Sequence, residues 1–508
     1  MLCSSITHGA PDSSVALAPC DEAPTRAEEQ HAPAHVLRAA ECVAASVPDG
    51  DAVRVLDAWR SRNPFYHRRI AEYLRFMIPE GESVLMIGCE DGALLSALRP
   101  ARGVGIDSRR ELIACARLRN AGHEYLAASD YAPCVDGQFE YVVINDVTDE
   151  VYDVFALLQY VATLCTPTSR IILIQRNHLW QPLNRVSAWF GSKDLRTRSN
   201  LLTMGDLRAI LDGVGFETIY VRPKLFCPRR LLGFGAAVNW IGGLAPFSRR
   251  FASIHVIVAR PRPKIVNAAN KSATIVMAMR DERENVEPMV RAIPHVGAET
   301  QIVIVEGHSR DGTREEIERV IKAYPEKNIR LVVQTGEGVG NAIFEGFKAA
   351  GGDVIILLEA DRTSPPQDVL KVFDVIASGL ADYVNGSRFI YPRRRGSMPL
   401  VNVIGNRLFA AWFTWLLGQR TTDVLCGLKG IDRRRFQQVL EHWGFLGVTD
   451  PFSDFELVLG AVRLNLKICE VPTRYTSRKY GRTKARVFEH GWMLTRMAAR
   501  AARVFRCR

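Results

Sequence analysis

The chain has 508 residues, 47% of them hydrophobic and 24% charged, with a formal net charge of +11. That length exceeds what one hydrophobic core organises, so two domains are expected and three are possible, in an ordinary globular composition. The basic excess suits nucleic acid, anionic lipid or phosphorylated ligands; the 11 cysteines, scattered without C-x-x-C pairs or His/Cys clusters, argue against a disulfide framework or a structural zinc site and fit a reducing cytoplasm.

The chain begins polar and acidic, around Asp21, Glu22, Glu28 and Glu29, without a basic stretch leading into an apolar core. No secretory signal is expected, and residues 1–50 read as a disordered tail. From Val53 to Met77 the apolar spacing is helical, with Tyr66, Ile70, Tyr73, Leu74 and Met77 on one stripe. Strands are then predicted at Ser83–Gly88, Gly103–Asp107, Phe139–Asn145 and Arg170–Gln175, with helices at Gly92–Leu98, Arg110–Asn120 and Val151–Cys165 between them. This alternation predicts a doubly wound parallel sheet, closed by strands at Glu217–Arg222 and Ile254–Ala259 within a domain of residues 51–260.

Residues 261–272, polar and broken by proline, read as a linker. A second alternation follows in residues 273–490, with strands at Ala273–Met279, Gln301–Val305, Ile329–Gln334 and Asp353–Leu358. The fold class is therefore α/β, with two Rossmann-like doubly wound domains. Right-handed crossovers bring the carboxyl ends of parallel strands to one edge, so the loops at Arg280, Glu306, Thr335 and Glu359 should converge there.

Two acidic loops sit at that edge: Glu306-Gly307-His308-Ser309-Arg310-Asp311-Gly312-Thr313 and Glu359-Ala360-Asp361. Carboxylates placed two apart after an apolar strand suit a divalent metal, Mg²⁺ or Mn²⁺, carrying a diphosphate; chance pairs of this kind are also common in loops. With the runs Arg280-Asp281-Glu282-Arg283-Glu284-Asn285, Gly336 to Ala342, Asn385-Gly386-Ser387-Arg388, Thr422 to Gly427, Ser453-Asp454-Phe455-Glu456 and Tyr480-Gly481-Arg482-Thr483-Lys484, this half resembles the family 2 glycosyltransferases of the GT-A fold, in the branch similar to dolichyl-phosphate mannose synthase.

The resemblance implies a sugar transferred with inversion from a nucleotide-diphosphate donor to a polyprenyl phosphate or glycan acceptor. It places Arg280, Glu282, Glu306, Asp311, Glu359, Arg388 and Lys484 at the nucleotide sugar, Asp361 and Glu359 at the metal, and Asp454 where many members have a catalytic base. Glu306 and Glu359 stand where the family more often has Asp. Asp454 is open to a second reading, as the N-cap of the helix that follows, and it does not choose the acceptor, because a phosphate nucleophile needs no base.

In the first half, Val84-Leu85-Met86-Ile87-Gly88-Cys89-Glu90-Asp91-Gly92 and Gly103-Val104-Gly105-Ile106-Asp107 place a glycine turn after one strand and an acid at the end of the next. This half resembles the class I S-adenosylmethionine-dependent methyltransferases, which implies S-adenosylmethionine held by Gly88, Gly92, Asp107, Asp130 and Asn145, with Asn145-Asp146 at the fourth strand. It departs from that pattern at Met86, where an acid is usual, and at Glu90, where glycine is usual. His178 reads as loop material rather than a catalyst.

Three segments suggest a membrane surface. Leu231–Ser248 is uncharged between Arg229-Arg230 and Arg249-Arg250, yet contains four glycines and lies between strands of one sheet, which permits a shallow hairpin and no span. Residues 491–508 form a basic amphipathic helix, with Leu494, Met497, Ala498, Ala501, Val504 and Phe505 opposite Arg496, Arg500 and Arg503. Arg393-Arg394-Arg395 precedes an apolar run, Leu400 to Leu417, broken by Asn402, Asn406 and Arg407. Ordinary packing is the alternative for each. No basic stretch interleaves with stacking aromatics, so nucleic acid is not expected.

The expected protein is thus a glycosyltransferase peripheral to the inner face of the cell membrane, bound to an anionic membrane surface and fused to a methyltransferase. The alternatives are a glycosyltransferase with a degenerate docking domain and a non-catalytic scaffold.

Overall fold

The computed structural model describes residues 52–177, 202–227, 234–244, 251–263, 268–391, 398–448, 452–476 and 487–506. The expected tail, His178, the arginine run 393–395, the Tyr480–Lys484 motif and the two ends of the 231–248 segment lie outside these residues.

The first domain opens with helices α1 (Ala52–Arg62) and α2 (Pro64–Met77). A single helix was expected here. Pro64 has no amide hydrogen for the helical ladder and takes the first position of α2, so the chain breaks at Asn63. There follow β1 (Ser83–Ile87), α3 (Ala93–Ala97), β2 (Arg102–Asp107), α4 (Arg110–Arg119), β3 (Glu124–Ala127) and β4 (Phe139–Asn145). Then come α5 (Val154–Thr163), β5 (Cys165–Arg176), α6 (Met204–Val214), β6 (Phe216–Lys224), α7 (Phe234–Leu244) and β7 (Ile254–Pro261).

These strands form a seven-stranded sheet of order β3-β2-β1-β4-β5-β7-β6. It is mixed rather than wholly parallel, since β7 runs antiparallel to both β5 and β6. Because β6 and β7 are antiparallel neighbours, the segment between them returns to the side it left, as its sequence implied. The order reverses beside β1, which opens a crevice at the carboxyl ends of β1 and β4.

The second domain begins with β8 (Ala273–Met279), α8 (Arg283–Ala292), β9 (Thr300–Glu306), α9 (Thr313–Ala323), β10 (Ile329–Val333), α10 (Val339–Ala349) and β11 (Val354–Leu357). After α11 (Val369–Ala377) and β12 (Tyr383–Ser387) come α12 (Leu400–Leu417), β13 (Lys429–Asp432), α13 (Arg433–Leu440), α14 (Phe455–Arg463), β14 (Ile468–Pro472) and α15 (Val487–Arg506). Its sheet also has seven strands, ordered β10-β9-β8-β11-β13-β12-β14, and only β13 runs antiparallel to its neighbours. The switch point lies between β8 and β11.

One hydrophobic cluster runs through both domains, from Tyr73, Met77 and Ile172 to Phe413, Leu466 and Phe505. Polar contacts cross the same boundary. Asn465 donates to Met77 O at 3.0 Å, accepts from the Tyr220 hydroxyl, and offers its carbonyl to Arg170 Nε at 2.8 Å. Arg222 and Lys224 of β6 donate to Leu417 O and Phe505 O at 2.9 and 3.1 Å. Asp382 gathers Arg170 at 2.7 Å and Arg260 and Arg435 at 3.5 Å. Against the pull of burial, these guanidinium groups hold its carboxyl down at about 2.

This shared core changes the reading of α15. The apolar stripe expected to lie on a membrane, Leu494, Met497, Ala498, Ala501 and Phe505, is buried in the interdomain cluster. Packing satisfies the stripe, and Arg496, Arg500, Arg503 and Trp492 face outward. Helix α12 is long and apolar enough to cross a membrane by length and composition, with a third of it buried in the protein. Its inner face carries Asn406 and its outer face shows Leu400, Val401, Ile404 and Leu408.

Candidate active site

Glu306 ends β9 in register with Met279 of β8, and Leu357 ends β11 in register with Val276 of the same strand. The loops that follow β9 and β11 therefore leave the sheet on either side of β8, roughly 10 Å apart at the usual strand spacing. The expected convergence is present. One residue in each of the three turns, Asp281, His308 and Arg362, has a left-handed φ, at +53°, +58° and +60°; non-glycine residues adopt such a conformation only where the surroundings enforce it.

Around Asp281 and His308 a mesh of short hydrogen bonds joins the loops after β8 and β9. Buried Glu306 accepts from Ser309 N at 2.6 Å, Ser309 Oγ accepts from Asp281 N at 3.0 Å, and Asp281 Oδ1 accepts from Arg310 N at 2.9 Å. Asp311 takes the amides of Arg283 and Thr313 at 3.2 and 3.0 Å. Although burial opposes it, the Thr313 hydroxyl and these amides hold the Asp311 carboxyl below its ordinary range. Glu282 is buried and accepts from Asn285 Nδ2 at 2.6 Å. Asp311 and Glu282 thus hold the loops in shape, while Arg280 is exposed at the rim.

Glu359 and Asp361 share the Thr363 hydroxyl, which lies 3.3 Å from one carboxylate and 2.7 Å from the other. Burial, and then the charge of Asp361, push the Glu359 carboxyl up to about 7, against the pull of Arg388 and Lys429. Two carboxylates gathered on one hydroxyl suit a cation between them. Among the described residues no group of three or more His, Cys, Asp or Glu could hold a metal. A metal that arrives on a diphosphate needs only one or two protein carboxylates, however, because phosphate oxygens and water complete its shell. The pair fits Mg²⁺ or Mn²⁺ in that manner. Gly427 is what makes room for it: a β-carbon there would stand 2.2 Å from Glu359 Cγ.

Arg388 is 8% exposed and grips Asp423 through Nε at 2.6 Å and Nη2 at 2.9 Å. Asn406 of α12 donates to the same carboxylate at 2.8 Å. Asp454 sits at the N-cap position of α14 but makes no capping hydrogen bond with its side chain. Its Oδ2 lies 3.1 Å from the ammonium of Lys429, which is 3% exposed on β13 and also donates to Cys426 O at 2.8 Å. Burial works against that ammonium, but Asp454 and Tyr383 hold it above its ordinary range. Lys484 lies outside the described residues. Asp423, Asn406 and Lys429 escaped the sequence reading, although Thr422–Gly427 was singled out and a lysine after Cys426-Gly427-Leu428 is conspicuous in an apolar run.

The first domain brings Gly88, Asn145 and Asp107 to its own switch point. A β-carbon on Gly88, φ +79°, would stand 2.6 Å from Asn145 O, and Asn145 Nδ2 donates to Gly88 O at 3.2 Å. Gly92, φ +80°, faces the Tyr125 hydroxyl, 2.5 Å from where a β-carbon would be. Asp130 is exposed and accepts the Ala132 amide at 3.1 Å. Asp107 is fully buried and accepts from Arg109 Nε and Nη2 at 2.8 and 3.0 Å. Beside it lies a cleft lined by Trp59, Arg60, His67, Glu90, Arg109 and Arg176, among others.

Two family profiles match separate parts of the chain. Residues 274–436 match the glycosyl transferase family 2 profile and residues 58–221 a methyltransferase domain profile. The chain joins a family 2 glycosyltransferase domain to a methyltransferase domain. The glycosyltransferase domain is similar to Glycosyltransferase AglJ of Haloferax volcanii, 30% identical over 182 residues, which are 35% of this chain and 55% of that protein. It is also similar to the polyprenol monophosphomannose synthase of Mycolicibacterium smegmatis, 24% identical over 216 residues, 41% of this chain and 79% of that one. The chain therefore spans about half the length of the first of these relatives. Among solved structures, the S-adenosylmethionine-dependent methyltransferase of Mesorhizobium loti aligns at 19% identity and a TM-score of 0.30, over 37% of this chain and 95% of that one.

Proposed function

We propose that the glycosyltransferase domain moves a sugar, with inversion, from a nucleotide-diphosphate donor to a polyprenyl phosphate or glycan acceptor. The acceptor oxygen forms a bond to the anomeric carbon as the bond to the diphosphate breaks, and nucleoside diphosphate leaves. The observation that carries this reading is the meeting of Glu306 with the Glu359–Asp361 pair at one edge of one sheet. Glu306 contacts the nucleoside, Glu359 and Asp361 hold Mg²⁺ or Mn²⁺, and Arg280, Arg388 and Lys484 serve the phosphates, with Asp423 and Asn406 fixing Arg388. Bound metal would supply neutralisation of the charge that grows on the departing diphosphate. Asp454, kept close to the site by Lys429, is the base for a hydroxyl acceptor and has no proton to take from a phosphate one.

A polyprenyl phosphate acceptor places the enzyme against a membrane. The outward ridge of α12, Leu400, Val401, Ile404 and Leu408, with Arg407 on the same turns, is the surface suited to that contact. Sugar transfer belongs to the second domain alone. The first domain is assigned no methyl transfer, because Asp107, the residue expected to hold the ribose of S-adenosylmethionine, is already engaged by Arg109.

The test incubates purified full-length protein with a panel of radiolabelled nucleotide sugars, membrane extract and Mn²⁺. One donor's label should pass into lipid or glycan, and a chelator should stop it. Retention of every label in the nucleotide pool would overturn the reading.

A further inference from the structure

We infer that the methyltransferase domain does not take up S-adenosylmethionine, and that it serves as the platform on which the glycosyltransferase domain is built.

The residue that should hold the cofactor's ribose has no capacity left. A carboxylate offers about four acceptor positions. Asp107 receives Glu90 N at 3.0 Å, Arg109 N at 3.1 Å, Arg109 Nε at 2.8 Å and Arg109 Nη2 at 3.0 Å. A ribose diol would have to displace a bidentate guanidinium, and charge-assisted bonds of that kind are roughly twice as strong as neutral ones.

The glycine turn is altered to match. Glu90 stands where the methyltransferase pattern has glycine, and it is held at φ +53°. Its carboxylate lies 3.1 Å from Arg60 Nη2. Arg60 also binds Asp91, which in turn receives Arg119 Nη1 at 3.2 Å. These pairs draw α1 down over the crevice, where its Leu56 and Trp59 line the wall. On the far side Arg176 is 2.5 Å from Asp146. Arginines and carboxylates inside the crevice are thus matched to one another, and the cofactor's sulfonium and carboxylate meet a site that is already neutral.

The opposite edge of the same sheet is built for a different task. Strands β5, β6 and β7 send Arg170, Tyr220, Arg222, Lys224 and Arg260 into the glycosyltransferase domain. There they meet Asp382, Asn465, Leu417, Phe505 and Leu380 around a core common to both domains. A methyltransferase working on its own would have no use for so many buried charges on that edge.

Equilibrium dialysis of the full chain against radiolabelled S-adenosylmethionine, up to millimolar, is expected to retain no label. Calorimetry on the same protein is expected to show one unfolding transition. In Arg109→Ala, which uncovers Asp107, affinity is expected to rise about tenfold, the loss of one charge-assisted bond, so that label becomes measurably retained at millimolar cofactor. Circular dichroism establishes that this variant is folded. Stoichiometric, saturable retention by the unaltered chain would overturn the first half of the inference. Two separate unfolding transitions would overturn the second half. A folded Arg109→Ala that gains nothing would overturn the assignment of the block to Arg109.

Discussion

The ammonium of Lys429 lies 3.1 Å from Oδ2 of Asp454, and both are assigned to the proposed sugar-transfer site. The pair explains why a residue at a helix N-cap does no capping: a buried cation next to it is a stronger partner than a backbone amide. Removing Asp454 leaves the buried Lys429 charge with only the Cys426 carbonyl, and removing Lys429 leaves a half-buried Asp454 without its cation. Lys429→Met and Asp454→Asn should therefore each destabilise the protein by about 3 kcal/mol, and the double variant by less than the sum. Urea unfolding of the four proteins checks this; additive losses would mean the two side chains are not coupled.

Asp361→Asn should lower sugar transfer at least about a hundredfold, the scale for loss of a group that stabilises charge in the transition state. Asp361 is only half-buried, so the melting temperature should scarcely move. Binding of Mn²⁺ with nucleoside diphosphate, followed by calorimetry, should weaken in parallel. Unchanged turnover would remove the cation role from this residue.

Gly427→Ala tests the same site from the opposite side. The new methyl group would stand 2.2 Å from Glu359 Cγ, and Glu359 must turn away or the β13 approach must shift. Overpacking of this kind costs about 1–3 kcal/mol. Activity and Mn²⁺ affinity should fall together, measured by label transfer and titration, while Asp361 is untouched. Full activity in this variant would show that Glu359 is not needed where it stands.

The domain boundary should be sensitive to acid. Asp382 is held at about 2 in the folded protein, against 3.8 as its ordinary value. A depressed carboxyl contributes stability above its unfolded value and loses it as pH falls through the folded one, so the contribution, about 2 kcal/mol, is present at pH 7 and decays between about pH 4 and pH 2. Asp382→Asn should destabilise the protein at pH 7 and show a flatter melting-temperature profile across that window. An identical acid profile in the two proteins would remove Asp382 from the account.

Most strands and both switch points are legible in the chain, because apolar runs ending in glycine or acid turns report local structure without a partner. β3, β12, β13 and β14 escaped it; of these, Tyr383–Ser387 and Lys429–Asp432 carry Asn, Gly, Ser and Lys, and they become strands by pairing with each other and, for β13, with β11. Pro64 is legible too, inside the helical spacing that runs from Val53 to Met77 and breaks there.

Local spacing alone sufficed for the two α/β domains and for the edge where Glu306, Glu359 and Asp361 meet, since strand direction and crossover handedness follow from short-range rules. Which charges find each other did not follow. That Arg109 closes on Asp107, that Lys429 claims Asp454, that Arg170 crosses to Asp382, and that the apolar stripe of α15 is buried in the interdomain core were decided by the fold. Such pairings depend on distances between residues far apart in the chain and on the loss of water around them, and a charge exposed or buried is spelled with the same letter.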